Sequence, residues 1–247
     1  MSSLEYTIIP CYDFLKTIVQ TDDKIFTMLK RSTSILRTEN EKTLAPKIEL
    51  LRDHGVSDSN IAKLLVSQPR VFTINMTRFS EIVALVKEME FDPDQYAFLM
   101  AINVLASMSK SSLEAKSDAY GSWGWTEDDV RSAFRKSPNC MGLSKESIMT
   151  KMDYFVNKMG FAPSSVAKQP SVLKYSLERR IIPRCSVINV LVTSGLVKEA
   201  PTLCSFLTWP EKVFLKYISR FEKEVTGLMN AYQNDKMNGS DRCSSVL

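Results

Sequence analysis

The chain has 247 residues but a single histidine, His54. One imidazole, placed directly before Gly55, removes most general-base schemes and reads as a helix-end cap or surface residue. There is no Gly-rich phosphate loop, no H-E-x-x-H, no G-x-S-x-G and no Cys/His pair, so the common hydrolytic, zinc-dependent and phosphate-cradling sites have no footing. The five cysteines (Cys11, Cys140, Cys185, Cys204, Cys243) are scattered, odd in number and never spaced C-x-x-C. That excludes a disulfide framework or a structural zinc cluster and leaves reduced thiols that serve mostly as small core residues. Long hydrophobic runs are missing as well. The longest mostly apolar stretch, residues 96–108, includes Asn103 and falls short of the roughly 20 residues a spanning helix needs. These absences point away from an enzyme, a metal, a cofactor, a small-molecule substrate and a membrane, and a soluble monomer is expected.

What is present is ordinary in amount and unusual in arrangement. Hydrophobic residues make up 44% and charged residues 24%, a normal globular balance. The net charge of +4 hides an asymmetry: from Arg131 to Lys223 there are 16 Lys and Arg against 6 Asp and Glu, so the remainder of the chain carries −6. A basic half beside an acidic half is a hint of polyanion binding. From charge alone, a phosphate-binding surface and a solvated face are equally open.

Repetition is the dominant feature. Three segments share an apolar helical stripe, a Gly followed by a large apolar residue, a second stripe and a Pro: Ile48–Phe72 with Gly55-Val56 and Pro69, Val130–Met141 after Gly124-Trp125 with Pro138, and Ile148–Leu173 with Gly160-Phe161 and Pro170. Aligning the turn along the chain gives Thr21, Gly55, Glu90, Gly124, Gly160 and Gly195, with gaps of 34, 35, 34, 36 and 35. Ile8-Ile9-Pro10-Cys11 is echoed by Ile181-Ile182-Pro183-Arg184-Cys185. A steady period of this length is the signature of stacked supersecondary units.

Each unit follows a physical logic. Ile148, Met152, Phe155 and Met159 fall at i, i+4, i+7 and i+11, one stripe on a helix. Gly160 follows, where the left-handed conformation ends a helix cheaply, and Phe161 can fold back over the last turn. Pro163 suits a first helical position, and Pro170 stops the second helix. Ser176 is placed to cap a further helix through Leu177–Ile181. No such unit buries its stripe alone, so neighbours must stack. The expected fold is all-α, an α-solenoid of about six three-helix repeats of 34–36 residues over 1–233, with a polar, disordered tail at 234–247. Periodicity leaves a right- or left-handed superhelix open. The unit around Glu90 is degenerate: Glu90 replaces Gly, at a cost of about 1 kcal/mol, and Val104 stands where Pro would fall, so its second helix is expected to run longer.

The order of residues does not match tetratricopeptide units, and pentatricopeptide units lack the Pro break before a third short helix. Residues 143–161, 133–138 and 175–188 instead resemble the plant mitochondrial transcription termination factor (mTERF) family, and the likeness extends over about Ile8 to Tyr232. The resemblance implies a left-handed superhelix of three-helix repeats with a basic groove for nucleic acid. It also implies a mitochondrial or chloroplast protein that binds double-stranded DNA or RNA and acts in transcription termination or transcript processing. Members of the family usually begin with an organelle-targeting segment rich in Arg and Ser. Here residues 1–6 run straight into repeat sequence with an acid at Glu5, so a member shortened at its front, with no visible targeting segment, is expected.

Two basic clusters are the candidate nucleic-acid contacts. The denser comprises Lys168, Lys174, Arg179, Arg180 and Arg184, with Arg180 and Arg184 one turn apart if the helix runs through Pro183. The other comprises Arg131, Arg135 and Lys136, where Arg131 and Arg135 share a face. Lys and Arg on a groove would neutralise phosphates and make affinity fall steeply with salt. The competing readings are pairing with Glu178 or a neighbouring unit's acid for the first cluster, and a solvated face beside Asp128 for the second. Trp123 and Trp125 could stack on unpaired bases, but beside a helix-ending Gly they read as packing residues. The alternative function is a protein-binding helical scaffold whose nucleic-acid groove has decayed.

Overall fold

The computed structural model describes residues 4–37, 40–198 and 202–244, and they are helical throughout, with no strand among the described residues. Two compact units, 1–115 and 116–247, divide the chain. The first contains α1 (Ile9–Val19), α2 (Asp22–Arg31), α3 (Ala45–Asp53), α4 (Asp58–Ser67), α5 (Met76–Glu88) and α6 (Tyr96–Ala106). The division falls inside α7 (Lys110–Gly121). The second unit continues with α8 (Glu127–Lys136), α9 (Lys145–Asp153), α10 (Pro163–Lys168), α11 (Ile182–Thr193), α12 (Leu203–Thr208), α13 (Glu211–Ile218) and α14 (Leu228–Ser244).

The punctuation read from the sequence holds. Gly55, Gly124, Gly160 and Gly195 all adopt positive φ, and so does Glu90 at 61°. The first such residue is Gln20 (φ 70°), not Thr21; Thr21 is extended and caps α2 by accepting from the Lys24 N–H. The turn positions are therefore 20, 55, 90, 124, 160 and 195. Around four of them the chain closes the same way: Val56 N–H donates to Leu51 C=O, Phe91 to Val86, Trp125 to Tyr120 and Leu196 to Leu191, while after Gly160 the bond is one residue wider, from Phe161 N–H to Phe155 C=O. This wide loop-back bond satisfies a carbonyl orphaned at the helix end. Val56, Phe91 and Trp125 are buried beneath it.

Short 3-10 turns follow the second helices at Thr33–Arg37, Pro69–Thr73, Pro138–Cys140 and Pro170–Lys174. The third repeat lacks one. With Val104 in place of Pro, α6 continues to Ala106, 16 residues beyond its turn, whereas α4 and α8 stop 12 residues beyond theirs. Ser176 caps the following helix through the Arg179 N–H at 3.2 Å.

Periodicity did not reveal how helices pass through proline. Ile9-Pro10, Ala45-Pro46 and Ile182-Pro183 lie inside continuous helical backbone, each preceded by a five-residue π-type turn at Leu4–Ile8, Asn40–Leu44 and Leu177–Ile181. The wider turn accommodates the proline ring and its missing N–H. A further π-type turn at Tyr154–Lys158 rotates the stripe of α9, so Ile148, Met152 and Phe155 are buried while Met159 is only half-buried. At the C-terminal end, α14 carries the polar stretch expected to fray as helix through Ser244, and 245–247 lie outside the described residues.

Candidate nucleic-acid interface

The basic residues divide into two kinds, and geometry rather than sequence separates them. The first kind is internal. In each repeat a donor on the first helix reaches carbonyls near the end of the same repeat. The Cys11 thiol donates to Ile35 C=O at 3.3 Å. Lys47 Nζ donates to Phe72 C=O at 2.7 Å and to Ile74 C=O. The Arg78 guanidinium reaches Leu105 and Met108 C=O at 3.4 and 3.3 Å. Lys116 donates to Met141 C=O and the Tyr120 hydroxyl to Cys140 C=O. Lys151 donates to Leu173 C=O at 2.7 Å. Each bond serves carbonyls at or just beyond a helix end or short turn, where intrahelical donors run out.

The strongest such staple belongs to two of the expected phosphate contacts. Arg184 is 0% exposed. Its Nη1 donates to Phe206 and Trp209 C=O at 2.7 and 2.8 Å, its Nη2 to Glu211 Oε2 at 2.8 Å, and its guanidinium lies 4.5 Å from the Phe214 ring centroid. A cation so enclosed cannot meet a phosphate, which corrects the expectation for Arg184. Arg180 is half-buried and donates to Leu207 C=O at 2.8 Å and Trp209 C=O at 2.7 Å, with its guanidinium 4.2 Å from the Tyr175 centroid. It too holds the protein together. The helix does run through Pro183, so the two arginines stand one turn apart, but they face inward to the α12–α13 connection.

Glu211 completes this clasp. It accepts from Arg184, from the Tyr232 hydroxyl at 3.0 Å and from Lys236 at 2.6 Å, tying α11, α13 and α14. Burial pushes its carboxyl up, but hydrogen bonds from Lys236, Arg184 and Tyr232 outweigh this and bring it down to about 2. Lys47 is pushed down to about 8 by burial.

The second kind is exposed. Arg131, Arg135, Lys136, Lys168, Lys174 and Arg179 all face solvent. Arg135 and Lys136 end α8, and Lys168 ends α10. These helices pack together, as do the turns that follow them at 138–140 and 170–174, so the two basic ends lie side by side. Lys174 closes the second turn with its ammonium 5.2 Å from the Tyr175 centroid, the ring that Arg180 also covers. Cations at helix ends also complement the helix dipole, so their placement suits the fold as well as a ligand.

Trp125 is buried and stacked on Tyr120 at 4.3 Å, and its Nε1–H donates to Pro163 C=O. Trp123 Nε1–H meets the Met149 sulfur. Both are packing residues. His54 Nδ1 lies 2.8 Å from Leu50 C=O at the end of α3. Among the described residues no cluster of His, Cys, Asp or Glu could hold a metal ion, and no helix is long and apolar enough to cross a membrane. Sequence reasoning missed three exposed cations, Lys212, Lys216 and Arg220, although their i, i+4, i+8 spacing was readable.

A family model described as mTERF matches residues 2–104 and again 99–215. The chain belongs to the mTERF family. Among its relatives in this family is transcription termination factor MTERF8, chloroplastic, of Arabidopsis thaliana, 21% identical over 170 residues that cover 68% of this chain and 34% of that protein. Another is transcription termination factor MTERF15, mitochondrial, of the same plant, 22% identical over 183 residues, 74% of this chain and 41% of that one. This mTERF chain thus spans roughly a third to two fifths of the length of these relatives.

Proposed function

We propose that this mTERF chain is an organellar nucleic-acid-binding protein. It takes up double-stranded DNA or structured RNA through backbone contacts and regulates transcription termination or transcript processing. The names of its relatives, transcription termination factors of chloroplast and mitochondrion, support both the process and the compartment. The observation that carries the reading is the pair of adjacent basic helix ends, Arg135 and Lys136 beside Lys168, flanked by exposed Arg131, Lys174 and Arg179. Arg180 and Arg184 are not part of the contact surface.

Backbone recognition has a clear thermodynamic mark. If six cations each neutralise one phosphate, affinity for a duplex of about 20–30 base pairs falls with salt at a log-log slope near −5. Replacing Arg135, Lys136 and Lys168 with Ala flattens that slope by about 3 and leaves thermal stability nearly unchanged. Absence of any salt-sensitive affinity for DNA or RNA would sink the proposal and leave the protein-binding scaffold in its place.

A further inference from the structure

Helix α13 has three faces. Phe214 and Ile218 are 0% exposed and form the inner one. Lys212, Lys216 and the directly following Arg220 form an outer row at successive turns, about 6 Å apart along the axis, and all three are exposed. None of the three makes an ion pair among the described residues; the acid of this helix, Glu211, is held by Arg184, Tyr232 and Lys236. Between these faces runs an aromatic ridge. Trp209 and Tyr217 meet edge to face at 5.1 Å, Tyr217 and Phe221 at 5.6 Å, and all three rings are only half-buried. Val213, 47% exposed, extends the ridge.

This ridge is braced from beneath. Trp209 C=O accepts from both Arg180 and Arg184, at 2.7 and 2.8 Å. The arginines that are lost as phosphate ligands therefore act as positioning residues for the backbone that carries the indole. Rings held half-open beside a row of cations suit one ligand chemistry. A base pair in a duplex hides its faces in the stack, whereas an unpaired nucleotide offers a π-face to an aromatic side chain and a phosphate to an ammonium.

We propose that Trp209, Tyr217 and Phe221, together with Lys212, Lys216 and Arg220, form a binding site for unpaired nucleotides of single-stranded RNA or DNA. The bases lie against the rings and the phosphates meet the cation row. The inference deepens the proposed function and rests on it.

The test uses the full chain with two probes, an oligouridylate of about 12 nucleotides, which does not self-pair, and a duplex of the length used above. The wild type binds the oligouridylate, and tryptophan emission falls on binding; the fall disappears in Trp209→Phe. Replacing Lys212, Lys216 and Arg220 with Ala flattens the single-strand salt slope by about 2. Tyr217→Leu, which keeps apolar packing and is checked for native helicity by circular dichroism, weakens oligouridylate binding about tenfold. Duplex affinity changes far less in these variants. Oligouridylate binding that is absent from the wild type, or unchanged in the variants, while the duplex still binds overturns this site and leaves the proposed function standing. Loss of both probes in the wild type overturns both.

Discussion

Residues 1–115 and 116–247 are built from one repeat plan, yet they use their cations differently. The first region has 13 Lys and Arg against 15 Asp and Glu, the second 19 against 13. Both place a donor from the first helix of a repeat onto carbonyls near that repeat's end. In the first region the donors are a thiol, an ammonium and a guanidinium, at Cys11, Lys47 and Arg78. In the second, Lys151 acts alone but the other two repeats use pairs, Lys116 with Tyr120 and Arg180 with Arg184, and the last pair gains a carboxylate partner in Glu211. The comparison teaches that a basic count overstates the charge available to a ligand. Part of the positive excess in the second region is structural.

The sharpest way to break the comparison is to remove its strongest staple. Arg184→Ala leaves Glu211 without its buried cation and takes a donor from Phe206 and Trp209 C=O, of which only Trp209 keeps Arg180, and a loss of about 3–5 kcal/mol is expected in denaturant unfolding. If the variant unfolds at the wild-type midpoint, the inward reading of Arg184 is wrong.

A smaller effect comes from acid. The Glu211 carboxyl has a folded pKa of about 2 against an ordinary 4.5. A depressed carboxylate contributes stability that is fully present above the unfolded value and disappears as pH falls through the folded one. Stability should therefore decline between about pH 4.5 and pH 2 more steeply in the wild type than in Glu211→Gln. Parallel pH–stability curves for the two proteins would contradict the clasp.

The smallest effect is a gain. Glu90 holds a left-handed backbone that its counterparts Gly55, Gly124 and Gly160 adopt without a side chain. Glu90→Gly should stabilise the chain by about 1 kcal/mol and raise Tm by roughly 2–4 °C. A fall in Tm would show that the Glu90 side chain contributes more than its backbone strain costs.

Much of the fold was legible because its signals are local. A left-handed residue ends a helix wherever it stands, so Gly55, Gly124, Gly160 and Gly195 could be located from spacing, and Glu90 inherited their conformation by alignment. Ser176 capped the helix it precedes, and the absence of Pro at Val104 lengthened α6. The first turn was misplaced by one residue because Thr21 is a good cap and Gln20 carries no turn signal of its own. The π-type turns also left no mark in the apolar period, since one extra residue per turn is absorbed by the packing around it.

The site was legible only in outline. Arg179 and Arg184 are identical in type and five residues apart, yet one is exposed and the other wholly enclosed. Nothing local separates them, because the carbonyls that Arg184 serves lie 22–25 residues further along the chain.

By itself the sequence determined the helical repeat, its period, its turn residues and a local excess of positive charge. Each of these follows from backbone preferences and composition that act within a few residues. Only the tertiary structure decided which cations are staples and which face solvent. That depends on which unsatisfied carbonyl the packed neighbour brings within hydrogen-bond reach, and a donor enclosed beside it is held there, while one on the surface keeps its contact with water.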